Sequence, residues 1–163
     1  MKWSTTVSAV TLAALGLFTV PAAAQDIAFK GWGVRVGIAD DPDQGVAGVQ
    51  LDLGTVVRKL HLQPRIEIGL GDDTTTFTGT VPVLYREPIA SRLSLYGGGG
   101  VTFGLIDRDR PRRGRDDGSD FEIAPMAAGG LAWPAAGSSE ASLELNLTAG
   151  DFSEAKLMFG WMF

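Results

Sequence analysis

The sequence predicts an all-β protein, an eight-stranded antiparallel up-and-down transmembrane β-barrel preceded by a cleaved signal peptide. Three observations lead to this fold class. Apolar and polar residues alternate along most segments of the chain, which is the period of a strand with two different faces. The apolar face carries no charged residue, and the opposite face is rich in glycine.

The beginning of the chain has the pattern of a secretory signal peptide. Lys2 precedes an apolar run over residues 7–20, and Pro21 and three alanines follow before Gln25. A charged start, a short apolar run and an A-x-A site are the parts of such a peptide. The apolar run is shorter than the ~20 residues that a spanning helix needs. We therefore expect a signal peptide over residues 1–24 and one barrel domain over residues 25–163.

The composition limits the classes of protein and partner. The chain has 163 residues, enough for one domain, and no cysteine, so an exported fold would have no disulfide framework. Its net charge of −5 argues against nucleic acid as a partner. No run after the signal peptide is long and apolar enough for a transmembrane helix, so any membrane span must be made of strands.

Eight segments carry the alternation, and polar or glycine-containing stretches separate them. Most are about 9–13 residues long, close to the ~9–11 that a tilted strand needs to cross a bilayer. Their number is even, so we expect both ends of the barrel domain on one side of the membrane. The positions of the apolar face are, segment by segment, Trp32, Val34, Val36 and Ile38; Ala47, Val49, Leu51 and Leu53; Leu60, Leu62, Pro64, Ile66, Ile68 and Leu70; Phe77, Gly79, Val81, Val83 and Tyr85; Leu93, Leu95, Val101, Phe103 and Leu105; Phe121, Ile123, Ala127, Leu131 and Trp133; Ala141, Leu143, Leu145 and Leu147; and Leu157, Phe159, Trp161 and Phe163.

Alternation alone leaves open which face is outside. A soluble lipocalin-like barrel is apolar inside, and a membrane barrel is apolar outside. A slip by one residue would place Arg35, Arg65, Glu67, Glu144 and Lys156 on the apolar face, where an Arg or Lys in lipid costs roughly 2–4 kcal/mol at the midplane. Glycine suits the crowded interior of an eight-stranded barrel better than a solvated strand surface. Both arguments favour the membrane.

The aromatic residues are predicted to sort by strand end, as in the two aromatic girdles of membrane barrels. One group falls at the end that carries the termini and the other at the opposite end. The two groups are Trp32, Tyr85, Trp133, Trp161 and Phe163, and Phe77, Phe103 and Phe121.

Three prolines fall inside predicted strands. Pro64, Pro82 and Pro125 cannot donate a ladder hydrogen bond, and a closed barrel has no free edge to place them on. We expect bulges or shortened pairing at these positions.

The polar positions of the inward face predict a lumen filled by ion pairs and hydrogen bonds. In a narrow interior an unpaired charge costs several kcal/mol, so acids and bases should be matched. A gated narrow pore is the alternative. The predicted network is Arg35, Asp52, His61, Arg65, Glu67, Glu122, Glu144 and Lys156, with Gln50, Gln63, Tyr96 and Asn146 beside them.

An enzyme is not expected. His61 is the only histidine, and no Ser or Asp partner near the surface is evident for it, although a nucleophile needs its base within reach. The acidic stretch over residues 40–43 lacks the spacing of a calcium loop and is typical of a turn. We therefore predict no catalytic residues, no metal site and no cofactor.

A polar loop over residues 107–120 contains five arginines and five aspartates. Arginine forks match phosphate, so this loop is a candidate surface for lipopolysaccharide phosphates or a partner. A solvated loop of balanced charge is the alternative. The arginines are Arg108, Arg110, Arg112, Arg113 and Arg115.

Several motifs resemble those of the small OmpA- or OmpX-like outer-membrane barrels. They are the signal peptide, Tyr96-Gly97-Gly98-Gly99-Gly100-Val101, Gly129-Gly130-Leu131-Ala132-Trp133 and Phe159-Gly160-Trp161-Met162-Phe163. The resemblance implies that the barrel-assembly machinery reads the last strand, with Phe159, Trp161 and Phe163 as the signal.

The function that we expect is that of a monomeric outer-membrane barrel of a Gram-negative bacterium. Its role would be structural, surface-binding or adhesive, in contact with outer-membrane lipid and lipopolysaccharide. A porin-like narrow channel is the first alternative, and a soluble periplasmic lipocalin-like binder is the second.

Overall fold

The alternating segments form antiparallel strands in a computed structural model, and these strands close into a ring. The structure describes residues 26–40, 43–72, 74–108, 120–150, 152 and 155–163, so the predicted signal peptide lies outside the described residues. The strands are β1 (Asp26–Asp40), β2 (Gln44–Val57), β3 (Leu60–Leu62), β4 (Arg65–Leu70), β5 (Thr74–Ala90), β6 (Leu93–Arg108), β7 (Asp120–Pro134), β8 (Glu140–Thr148) and β9 (Ala155–Met162).

Strands that are adjacent in sequence pair with each other, except β3 and β4, and β9 pairs with β1 to close the ring. Trp161 lies opposite Val34 and Phe159 opposite Val36, while β1 pairs on its other side with β2. β3 and β4 both lie between β2 and β5, so together they occupy one strand position in the ring. The nine strands therefore form a ring with eight strand positions. The predicted eight-stranded up-and-down barrel is confirmed. Within the described ranges, no helix is long and apolar enough to span a membrane.

Proline causes the break between β3 and β4. Pro64 lies in the gap, and its carbonyl accepts a hydrogen bond from the Leu51 amide at 2.9 Å. Pro82 lies in β5 opposite the same gap, where the Gln63 amide donates to its carbonyl at 3.3 Å. Pro125 lies one residue beyond the β7–β8 ladder, which begins at Met126. The expected shortening of pairing at all three prolines is confirmed, and each missing amide hydrogen faces a place where the ladder is interrupted or has ended.

The two faces of the sheet have opposite polarity. On the outer face Ile38, Phe103 and Leu157 are 65%, 43% and 46% exposed, whereas inward-facing Arg35 and Glu144 are each 3% exposed. The predicted register is therefore confirmed. The interior of the barrel contains most of the charged residues of the strands, and apolar side chains cover its outside.

Aromatic side chains lie at both ends of the barrel. We call the end with Ile27 and Phe163 the terminus end and the opposite end the loop end. At the terminus end the Trp32 and Phe163 rings lie 4.9 Å apart, and the Trp133 and Phe159 rings 6.4 Å apart. At the loop end Phe77 and Phe121 both pair with Leu105. The residues fall at the strand ends that the sequence indicated.

Candidate functional site: the charged lumen

A carboxylate lies between two guanidinium groups at the centre of the lumen. Arg35 Nη2 donates to Glu144 Oε1 at 2.8 Å, and Arg65 Nη2 donates to Glu144 Oε2 at 2.8 Å. A second nitrogen of Arg65 contacts Oε1, so this pair is bidentate. All three side chains are at most 4% exposed. Because β4 and β8 lie on opposite sides of the ring, the Arg65–Glu144 pair crosses the lumen.

A second carboxylate extends this cluster. Glu67 Oε1 lies 2.9 Å from Arg35 Nε, and Lys156 Nζ donates to Glu67 Oε2 at 3.2 Å. Arg35 also donates to Gln50 Oε1 at 3.2 Å, and Arg65 donates to Asn146 Oδ1 at 3.1 Å. We call this set the central cluster: Arg35, Gln50, Arg65, Glu67, Glu144, Asn146 and Lys156.

The central cluster spans the lumen. Five strands contribute to it, and its side chains are 3–6% exposed. The cavity on its terminus side, beside His61 and Tyr96, has a volume of about 20 Å³, and the cavity beside Thr80 and Thr102 about 10 Å³. Each has room for about one water molecule. The arrangement can hold the walls together.

Buried charges of this kind stabilise the barrel only as a set. Three cations, Arg35, Arg65 and Lys156, contact two carboxylates, Glu67 and Glu144. Removing one partner of a buried ion pair leaves an uncompensated charge and is strongly destabilising. Each member is therefore held in place by the others across the barrel.

Sequence reasoning missed a second ion pair, at the terminus end. Arg86 Nη1 donates to Glu140 Oε1 at 2.9 Å, and a second nitrogen contacts Oε2. Arg86 continues the inward alternation of β5, which is the signal that could have found it. Its partner Glu140 is the first residue of β8.

Tyr96 lies on the inner wall near this pair and is 9% exposed. A Cβ atom added at its cross-strand partner Gly130 would lie 2.7 Å from the Tyr96 hydroxyl. Only glycine leaves room for the ring on that wall.

His61 and Asp52 form a separate pair. His61 Nδ1 lies 3.9 Å from Asp52 Oδ2, too far for a hydrogen bond, and both side chains are partly exposed. The expectation that His61 lacks an acidic neighbour was wrong. Asp52 accepts a hydrogen bond from the amide of Gly54, which has a φ of 79°. The register of β2 against β3 shifts nearby, between Thr55 and Val57.

Two predicted groups lie elsewhere. Glu122 lies towards the loop end, where a Cβ added at Gly150 would meet its Oε1 at 2.2 Å. Of the candidate arginine loop, Arg108 ends β6, and its side chain is outside the described part of the chain. The other four arginines, Arg110, Arg112, Arg113 and Arg115, lie outside the described residues. Among the described residues, no group of three or more His, Cys, Asp or Glu could hold a metal ion.

No protein-family model and no curated protein matches the sequence. Three solved structures resemble the fold. The N-terminal β-barrel domain of Pseudomonas aeruginosa OprF is 14% identical, with a TM-score of 0.61, over 83% of this chain and 98% of that domain. Neisserial surface protein A is 10% identical, with a TM-score of 0.60, over 81% and 93%. The Yersinia pestis outer-membrane protein Ail is 11% identical, with a TM-score of 0.51, over 82% and 97%. The chain therefore has the fold of small outer-membrane β-barrels, as the motifs indicated.

Proposed function

We propose that the chain is an integral outer-membrane barrel with a closed lumen and a structural, surface-binding or adhesive role. The observation that carries this proposal is the central cluster, which joins opposite walls through buried ion pairs. A scaffold needs such cross-lumen contacts, whereas a constitutive pore needs an open path. The proposal includes no enzymatic activity, and its partners are outer-membrane lipid and lipopolysaccharide.

The polarity of the wall supports the membrane placement. Away from the strand ends, the outward positions of the eight strands in the ring carry no charge, and exposed leucines, isoleucines and phenylalanines run around the barrel. Exposed apolar surface of this extent in water would make a protein aggregate. A lipocalin-like binder needs an apolar interior, but buried charges fill this one.

The direct test expresses the full chain in a Gram-negative host. We expect it in the outer-membrane fraction, with faster migration on a denaturing gel before boiling than after. A periplasmic protein without this heat-dependent shift would end the membrane proposal. In a planar bilayer the purified barrel should give no stable single-channel steps. Such steps would favour the narrow-channel alternative.

The last strand is proposed to be read by the barrel-assembly machinery through Phe159, Trp161 and Phe163. Supporting this proposal, the Phe163 amide donates to the Trp32 carbonyl at 2.8 Å, next to the seam where β9 meets β1. An aromatic residue there can fix the closing strand against the first.

Phe163→Ala is expected to slow assembly more than it lowers the stability of the assembled barrel. The ring contact with Trp32 contributes about 0.5–1.5 kcal/mol beyond its area, which is a small part of the total. The measurement is a pulse-chase of the heat-modifiable form. Phe29→Ala is the matched control, because Phe29 lies at the same end and is 64% exposed. Equal rates for both variants would contradict the role of Phe163.

A further inference from the structure

The outer wall contains an apolar groove of about 520 Å³. Its outward-facing lining includes Val49, Ile66, Phe77, Val81, Phe103 and Phe121, from β2, β4, β5, β6 and β7. We propose that this groove binds one fatty-acyl chain of a lipid in the leaflet on the loop side of the barrel. The inference rests on the proposed membrane location.

A glycine and a break in the strand ladder form the groove. Gly79 has no side chain, and the Phe103 ring lies over it. A Cβ atom at this position would come within 2.6 Å of that ring. Pro64 lies in the break between β3 and β4, where the wall has lost part of its ladder. The depression is thus a consequence of sequence at two positions, and it is of the size that small-molecule sites have, roughly 300–1,000 Å³.

The position of the groove fits one leaflet. It begins among the loop-end phenylalanines and reaches Val81, near the middle of β5. Phe77 and Val81 are four residues apart, roughly 13 Å along a strand at ~3.3 Å per residue. At the ~35–45° tilt of barrel strands this is roughly 9–11 Å of depth, about two-thirds of one half of a ~30 Å hydrocarbon core. An acyl chain that descends from head groups at the loop-end girdle would lie along it.

A second copy of the chain fits this groove poorly. In a two-fold dimer the same patch of both copies meets on the axis. Groove would then face groove, and the void would grow instead of being filled, although protein contacts are close-packed. Water has no polar partner in such a groove. A flexible hydrocarbon chain can follow its shape and gain van der Waals contacts.

The test uses photo-crosslinking in vesicles. The barrel is refolded into unsaturated phosphatidylcholine that contains a small fraction of phosphatidylcholine with a diazirine on a saturated acyl chain. Adduct sites are mapped by mass spectrometry. We expect about threefold more adducts on Val81 and Phe103 than on Ile123, which pairs with Phe103 and so lies at a similar depth but outside the groove.

Two variants fill the groove from different strands, Ile66→Phe in β4 and Val49→Phe in β2, so a folding failure in one leaves the other informative. Each should abolish the excess of adducts. Ala127→Leu adds bulk to the outer face of β7 beyond the groove and should leave the excess unchanged. Adducts spread evenly over the wall would overturn the groove proposal alone. Protein–protein crosslinks at the groove would identify a second copy as its occupant. Absence of adducts from all outward residues would instead refute the membrane location.

Discussion

Replacing Glu144 with glutamine is expected to lower the free energy of unfolding by about 3–5 kcal/mol, the usual cost of breaking a buried ion pair. Glutamine keeps the size of the side chain but removes the negative charge that Arg35 and Arg65 share. Arg35 and Lys156 would still contact Glu67, but Arg65 would lose the carboxylate that it contacts. Urea titration of the barrel in lipid vesicles measures the change, provided that the slope of the transition is the same in both proteins.

The matched control is Glu87→Gln at the terminus end. Glu87 pairs with Lys59, and both side chains are about half exposed, at 42% and 50%. Ion pairs of this kind contribute far less than buried pairs, because water and salt screen them. The carboxylate of Glu87 has a lowered pKa and the ammonium of Lys59 a raised pKa, first because of their mutual hydrogen bond. Equal losses for the two variants would mean that the central cluster does not hold the walls together.

The fold could be predicted because alternation and the position of charge are properties of sequence. Arg65 and Glu67 in β4 sit between exposed isoleucines and leucines, so only one register keeps charge out of the wall. The inward or outward direction of nearly every strand residue follows from that single constraint. Breaks at Pro64 and Pro82 were predictable for an equally local reason, the missing amide hydrogen.

The pairing of charges inside the lumen could not be predicted in the same way. Which cation meets which carboxylate depends on strand stagger, a property of the closed barrel that no single segment contains. Glu144 meets Arg65 across the ring for this reason. The Arg86–Glu140 pair depends on where β8 starts, and His61 approaches Asp52 beside a local irregularity in the register of β2 and β3.

An arginine in the outer wall is expected to have a cost that depends on depth. Val101 lies near the middle of β6 and is 47% exposed, and Leu95 lies near its terminus end and is 49% exposed. In a bilayer, Val101→Arg should lower the free energy of unfolding by roughly 2–4 kcal/mol and Leu95→Arg by about 0–1 kcal/mol. Near the end of the strand the guanidinium can reach the head groups, whereas at the middle it cannot do so without deforming the lipid.

The equal exposure of these two residues is what makes the pair decisive. If water surrounded the barrel, both arginines would be solvated surface substitutions, and each would change stability by no more than about 0.5 kcal/mol. Urea titration of both variants in lipid vesicles gives the two changes in the free energy of unfolding. Their difference distinguishes hydrocarbon from water as the surroundings of the outer wall. A difference of about 2 kcal/mol or more identifies hydrocarbon at the level of Val101. Two small and equal effects would place the wall in water, and the buried charges would then need an explanation other than exclusion from lipid.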